Sequence, residues 1–246
     1  MKVIVNGACG RMGREVLRLL GEGYRGAEPF GAVDAFSQDS TILKTPDELP
    51  AGGDVIIDFS SHRATASLCE YAVRTKTPLV LCTTGHTDEE LAKIHAAAKE
   101  IPVFFSANMS LGVALLCELA VKAAAIYPDA DIEIVETHHN RKLDAPSGTA
   151  LMIADRIREV REDAEYKLGR AGHAKREKTE IGIHALRMGN VVGEHEVHIA
   201  TDTETVTLTH KAHDRSLFAE GAIVAAGFLV GKTAGLYTMR DMLAVG

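Results

Sequence analysis

The stretch 135-VETHHNRKLDAPSGTA-150 gathers proton donors and anion-binding groups into a short length of chain. His138 and His139 are adjacent, Lys142 follows, and Pro146 leads into Ser147, Gly148 and Thr149. Histidine exchanges a proton near neutral pH, and lysine offers a fixed positive charge or a second proton donor. A Pro-Ser-Gly-Thr turn that opens a helix presents backbone N–H groups to an anion, most simply a carboxylate, with Ser147 or Thr149 as the capping hydroxyl. A lone histidine is usually a core or surface residue, but here a cation and an anion cradle follow within a dozen positions. Adjacent histidines on a strand point to opposite sides, so this pair cannot converge on one ion, and no metal site is expected. Proton donor, cation and anion cradle suit the reduction of a carboxylate-bearing substrate, provided the fold also supplies a hydride donor.

The elements that must position these groups are readable from periodicity. Asp131–His138 reads as a strand with Ile132 and Ile134 on one face, and it delivers the histidines at its carboxyl end. A helix over Leu111–Ile126 precedes it, and a second helix is expected from about Ser147 to Val160. The charged segment Arg161–Lys178 shows no period and reads as a loop. Strand-like runs follow at Glu180–Arg187, Glu194–Ala200 and Glu204–Lys211, which implies an α+β unit with a mixed or antiparallel sheet. In the run 204-ETVTLTH-210 threonines alternate with apolar residues, which suits a sheet whose second face is partly covered, by another subunit or not at all.

The first hundred residues follow a different rhythm. β-rich runs at Lys2–Asn6, Phe30–Asp34, Val55–Phe59, Leu79–Thr83 and Val103–Ser106 alternate with amphipathic helical patterns. Thr87 and Glu90 form a capping-box signature ahead of one of those helices. This alternation predicts an α/β fold, a Rossmann-type doubly wound parallel sheet. The Ala-rich tail, Leu217–Val230, then a Gly-Lys-Thr-Ala-Gly turn and a short helix, is expected to close that first domain. The predicted division is therefore a dinucleotide-binding domain over 1–109, completed by 218–246, and a substrate-binding and oligomerisation domain over 110–217.

The hydride donor has its own signature. In 3-VIVNGACGRMGREV-16 a strand runs through glycines at 7, 10 and 13 into a helix. Against G-x-G-x-x-G, Ala8 takes the first position, while Gly10 and Gly13 keep the second and third. Gly10 lets the backbone approach a pyrophosphate, and Gly13 lets helix and strand pack closely. Alone the motif is weak, since such glycines often serve packing only, but Asp34 ends the second strand where a ribose-binding acid belongs. A carboxylate there accepts from the ribose hydroxyls and repels a 2′-phosphate, and Ala35 follows rather than an arginine. NADH is the expected cofactor, with NADPH possible because Arg11 is close in the chain. Two more strand ends, 58-DFSS-61 and 82-CTTG-85, place hydroxyl residues at the carboxyl edge, where open sheets bind ligands and where such residues also cap helices.

Composition narrows the class. With 46% hydrophobic and 25% charged residues, the 246-residue chain is an ordinary globular protein. A net charge of −7 with interspersed basic residues argues against a nucleic-acid surface. Cys9, Cys69, Cys82 and Cys117 are far apart in apolar or small-residue contexts, as expected of free thiols in a reducing compartment. No apolar run is long enough to span a bilayer, and no secretory signal is evident, so a cytoplasmic location is expected.

Taken in order, the motifs 7-GACGRMG-13, 58-DFS-60, 82-CTTG-85, 107-ANMSLGV-113, 133-EIVETHHNRKLDAPSGTA-150 and 187-RMGNVVGEH-195 resemble the dihydrodipicolinate reductase (4-hydroxy-tetrahydrodipicolinate reductase) family over nearly the whole chain. That resemblance implies NAD(P)H-dependent reduction of a cyclic imine dicarboxylate in the diaminopimelate route to lysine. It implies His138 as proton donor with Lys142 as its catalytic partner, and His139 with the Gly148–Thr149 backbone as binders of the substrate carboxylates. It further implies that Gly7, Ala8, Cys9, Gly10, Arg11 and Met12, with Asp34, hold the adenosine and pyrophosphate. Cys82, Thr83 and Thr84, with Ser106, Ala107, Asn108 and Met109, would line the nicotinamide side, and the assembly would be a homotetramer built through the sheets. Two departures stand out: Cys82 occupies a position that is usually glycine, and Arg161–Lys178 is shorter than the insert of many relatives. A reductase or dehydrogenase of the aspartate-dehydrogenase or sugar-oxidising type shares the same fold pattern, but the Ser-Gly-Thr turn after a double histidine argues against it. A non-catalytic dinucleotide sensor would be expected to lack His138 or Lys142.

Overall fold

The computed structural model describes residues 1–50 and 52–244, and divides into two compact units, Met1–Ser110 with Ser216–Gly246, and Leu111–Arg215. The chain begins β1 (Lys2–Asn6), α1 (Arg11–Gly21), β2 (Glu28–Val33), β3 (Val55–Asp58), α2 (Thr65–Thr75), β4 (Leu79–Leu81), α3 (Asp88–Ala97) and β5 (Pro102–Phe105). The second unit follows as α4 (Leu111–Ile126), β6 (Asp131–His138), α5 (Gly148–Arg158), β7 (Glu165–Leu168), β8 (Glu180–Arg187), β9 (Gly193–Ala200) and β10 (Thr205–Ala212). The chain returns to the first unit with α6 (Ser216–Leu229), β11 (Gly235–Tyr237) and α7 (Met239–Leu243).

In the first unit six parallel strands run in the order β11-β5-β4-β3-β1-β2. Every residue of β3 and β4 is buried, as strands covered by helices on both faces require, and so they read as unbroken apolar runs. The strand order reverses beside β1, the switch point where such sheets bind ligands. α1 sits close because Gly13 has no side chain: a Cβ there would lie 2.1 Å from the Gly7 carbonyl oxygen. The expected Thr87–Glu90 capping box opens α3.

The second unit carries a mixed sheet, β10-β9-β6-β8-β7, with β6 antiparallel to β9 and parallel to β8. One face packs on α4 and α5 through Ile132, Ile134, Ile153, Ile157, Ile183, Val197 and Ile199. β6 alternates strictly between this buried face and a half-exposed one. The same period that buries Ile132 and Ile134 carries Glu136 and His138 onto the buried face.

Two expectations need correction. The segment 161–178 is not all loop: β7 lies in it and pairs in parallel with the edge of β8. Its sequence, EYKL, half-buries only Tyr166 and exposes the other three residues, so it shows no apolar alternation. β11, hidden after the glycine-rich turn of the tail, adds an edge strand of three residues beside β5. The helix expected from about Ser147 is present as α5, with Ser147 as its N-cap accepting from the Ala150 N–H at 3.2 Å.

Candidate active site

In the second unit one buried carboxylate organises the stretch around His138. Glu136 is fully buried, and all of its acceptor positions are filled. One oxygen accepts from the Arg187 guanidinium at 2.7 Å and from the Ser147 N–H at 2.9 Å. The other accepts from Arg187 at 2.8 Å and lies 2.6 Å from His138 Nδ1. Burial opposes its charge, but the guanidinium, His138 and the Ser147 N–H together hold the carboxyl below the usual range. An ionised Glu136 can only accept, so His138 carries a proton on Nδ1 and its exchangeable position is Nε2. That nitrogen faces the backbone of Gly193, where a Cβ would come within 3.1 Å.

His195 stands edge-on to His138, with ring centroids 5.3 Å apart. Burial, then the positive field of His138, lowers its pKa to about 4, so it is neutral at physiological pH. Its Nε2 lies 3.1 Å from the Ser147 hydroxyl. That oxygen also accepts from the Ala150 N–H, and the contact with His195 lets strand β9 pin the cap of α5. The helix N-terminus is held from two sides, by Glu136 and by His195.

His139 leaves the strand end half-buried, and among the described residues its Nδ1 has no hydrogen-bond partner. Burial, with Arg141 and Arg215 next in order, lowers its pKa and favours the neutral ring. Lys142 Nζ pairs with Asp144 at 3.0 Å, and that hydrogen bond holds the Asp144 carboxyl below its usual range. Asp144 is largely exposed, so an incoming carboxylate can take its place at small cost. Gly148 and Thr149 open the first turn of α5, directly after the Ser147 cap.

The first unit holds a cleft of about 420 Å³ lined by Gly7, Gly10 and Asp34, together with Phe36, Lys44 and Ser60. Gly7 adopts φ +79°, and a Cβ on it would lie 2.7 Å from the Phe59–Ser60 backbone. Asp34 is fixed by the N–H groups of Cys9 at 2.9 Å and Phe36 at 3.0 Å, which leaves lone pairs on both oxygens. Glycine cradle, helix N-terminus and fixed acid fit a dinucleotide. Ala8 is buried, Met12 half-buried, and Arg11 is exposed at the first position of α1. Ala8, Cys9, Arg11 and Met12 do not line the cleft, though the Cys9 N–H bonds Asp34.

A neighbouring recess of about 340 Å³ is lined by Cys82, Thr83, Thr84 and the 59–62 turn. Burial first, and then nearby Asp58, push the Cys82 thiol up, so it remains protonated. Ser106, Ala107 and Asn108 form a tight turn after β5, in which the Ser106 hydroxyl donates to the Asn108 carbonyl at 2.7 Å. Met109, which follows that turn, is buried, and Gly221 of α6 lies against its carbonyl. Beneath the recess sits Asp58, also fully buried. One of its oxygens accepts from Asn6 at 2.7 Å and from the Ser60 hydroxyl and N–H at 2.6 and 3.1 Å.

Sequence reasoning passed over Glu136, Arg187, His195 and Asp58 as organisers. Glu136 carried a signal, because a carboxylate in phase with Ile132 and Ile134 must be buried and therefore paired. Arg187 is its cross-strand diagonal, and only the β6–β8 register reveals that.

A dinucleotide-type cradle in one unit, and a histidine–lysine pair with an anion-binding helix end in the other, are the equipment of a two-domain oxidoreductase. The family model for the dihydrodipicolinate reductase N-terminus matches residues 1–109, and that for its C-terminus matches residues 112–243. A 4-hydroxy-tetrahydrodipicolinate reductase of Caldanaerobacter subterraneus subsp. tengcongensis is 46% identical, covering 100% of this chain and 99% of that protein. One from Clostridium perfringens (strain SM101) is 44% identical over 99% and 98% of the two chains. A solved structure of dipicolinate-bound dihydrodipicolinate reductase from Paenisporosarcina sp. TG-14 shares the fold, with a TM-score of 0.78 at 23% identity and 99% coverage of both chains. The chain belongs to the dihydrodipicolinate reductase family and is an oxidoreductase. Among the described residues, no helix is long and apolar enough to cross a membrane, and no group of three or more His, Cys, Asp or Glu is arranged to hold a metal ion.

Proposed function

We propose that this chain reduces a cyclic imine dicarboxylate to tetrahydrodipicolinate in diaminopimelate and lysine biosynthesis, as a cytoplasmic homotetramer using NADH in preference to NADPH. The observation that carries the reading is the arrangement around His138: Nδ1 is tied to Glu136 at 2.6 Å, while among the described residues Nε2 has no hydrogen-bond partner and faces Gly193. The nicotinamide dinucleotide that the glycine cradle and Asp34 would hold would supply the hydride to the conjugated ring of the substrate. His138 then gives a proton from Nε2 to the enamine carbon so formed, and Glu136 steadies the ring through the change. Lys142 exchanges Asp144 for a substrate carboxylate. His139 and the Gly148–Thr149 backbone take the other carboxylate, with Ser147 fixing the turn. These groups act mainly by positioning the ring and neutralising its charge.

Gly7, Gly10 and Asp34 hold the pyrophosphate and adenosine ribose, assisted by Ala8 and Cys9. Cys82, Thr83, Thr84 and the Ser106–Asn108 turn face the nicotinamide. Asp34 supports the NADH preference, because its carboxylate suits a free 2′-hydroxyl. The half-exposed sheet face that carries Val135, Thr137 and His184 is the surface proposed to meet other subunits.

The test follows nicotinamide absorbance with the cyclic imine generated in situ. His138→Gln should lower kcat by about 10²–10⁴-fold, the usual contribution of a positioned proton donor, with a much smaller change in KM. Unchanged turnover removes the assigned role. Lys142→Ala should cost both KM and kcat, because it removes a charge as well as a donor.

A further inference from the structure

The residue after the ribose-binding acid is Ala35, so no cation stands next to Asp34 in sequence to receive a 2′-phosphate. The fold brings one there from elsewhere. Residues 42–44 run alongside β2 as a short added edge: Leu43 bridges Val33 in parallel, its N–H donates to the Ala32 carbonyl, and its carbonyl accepts from the Asp34 N–H at 2.8 Å. Lys44 therefore follows directly on the peptide that is bonded to Asp34, and both residues line the same cleft. Its backbone is held as well. The N–H groups of Lys44 and Thr45 donate to the Glu48 carboxylate at 3.2 and 3.0 Å, as part of the capping box of the following turn.

The charges on this wall balance in a telling way. Asp47, the second carboxylate lining the cleft, is paired with Arg74. Glu48 is occupied by the backbone. Among the described residues no carboxylate pairs with the Lys44 ammonium, and the side chain is exposed at the cleft rim. Phe36, 92% exposed on the same wall, offers a flat apolar face of the kind an adenine ring covers. This marks the adenosine end of the cleft. Arg11, by contrast, does not line it.

We infer that Lys44 is the cofactor-specificity residue of this chain, the cation that receives the 2′-phosphate of NADPH and offsets its repulsion by Asp34. The inference rests on the dinucleotide reading proposed above. Lysine acts here as a point charge on a flexible stem, which suits a phosphate that is present in one cofactor and absent in the other.

The experiment measures Kd and kcat/KM for NADH and NADPH with the full-length wild type, Lys44→Met and Lys44→Arg, at low and high ionic strength. In Lys44→Met the NADPH:NADH ratio of kcat/KM should fall about tenfold, the size of one charge-assisted phosphate contact. Lys44→Arg should restore most of the ratio. The wild-type ratio should fall as salt is raised, and that salt dependence should flatten in Lys44→Met. A ratio unchanged in Lys44→Met, or one that falls equally in Lys44→Arg, overturns the inference. Absence of binding of either cofactor by the wild type would instead overturn the dinucleotide reading, so the two failures are distinguishable.

Discussion

Each unit buries one carboxylate completely, and the two are driven in opposite directions. Glu136 has a guanidinium against both oxygens, and its carboxyl is held below the usual range despite burial. Asp58 has only neutral donors, Asn6, Ser60 and Thr83, and burial pushes its pKa up in spite of them. Number of hydrogen bonds does not decide between the two, since each accepts four. The presence of a cation does. The consequence is local: a carboxylate held as an anion can fix the tautomer of a histidine, while the one raised by burial braces the 58–60 turn.

The largest expected effect comes from breaking the charged half. In Glu136→Gln an amide NH₂ must replace one oxygen, and either oxygen already faces an Arg187 N–H, so donor meets donor. Removing one partner of a buried pair typically costs about 3–5 kcal/mol. At roughly 2–4 °C per kcal/mol for a chain of this size, Tm should fall by about 6–20 °C, read by thermal unfolding. Turnover should fall as well, because His138 loses the group that fixes Nδ1–H. A Tm within about 2 °C of wild type would mean that Glu136 is not held as an anion, and the contrast between the two carboxylates would collapse.

Acidity tests the same contrast without mutation of the partners. The pKa of Glu136 is lowered on folding, so its contribution is present above the unfolded value of about 4.3 and is lost as pH falls through the folded value. The gap in Tm between wild type and Glu136→Gln should therefore be widest near neutrality and should narrow on acidification below about pH 4. A gap that stays constant down to pH 3 would assign the loss in Glu136→Gln to packing rather than to charge.

How far all this was legible in the sequence differs between the two units. The parallel sheet was readable because its buried strands are unbroken apolar runs, and the glycines at 7, 10 and 13 mark the turn by their spacing alone. The strand Asp131–His138 was readable to the residue, because one face alternates without a break. The short edges β7 and β11 were not. A three- or four-residue strand that buries little has no period, and its pairing is decided by the neighbour it meets. His138 and Lys142 stood out by residue type. Arg187 and His195 did not, because they reach Glu136 and Ser147 only through the register of β8 and β9 on β6. Lys44 was invisible for a related reason: its place beside Asp34 depends on one isolated bridge to β2.

The smallest expected effect lies in the neutral half, at Asp58→Asn. Three of the four donors converge on one oxygen, Oδ1, while Oδ2 has only the Thr83 hydroxyl at 3.4 Å. An asparagine can keep its carbonyl oxygen where Oδ1 stands and turn its NH₂ toward Thr83. Thr83 can then accept, and its own proton remains free for His86 Nε2, 3.2 Å away. The substitution thus reproduces the protonated acid in shape and in bonding, and near pH 4, where the wild-type acid is closest to its protonated form, stability should stay within about 1 kcal/mol of wild type, the scale of a single rearranged hydrogen bond. The pH dependence carries the sign. A raised folded pKa gives stability that is present below the unfolded value of about 3.9 and is lost as pH rises through the folded value. Asp58→Asn has no such loss, so its Tm relative to wild type should rise as pH is taken from 4 to 8. If Asp58→Asn instead falls steadily behind wild type over that range, Asp58 is stabilised as an anion. Both buried carboxylates would then be charged, and the cation beside Glu136 would not be what separates them.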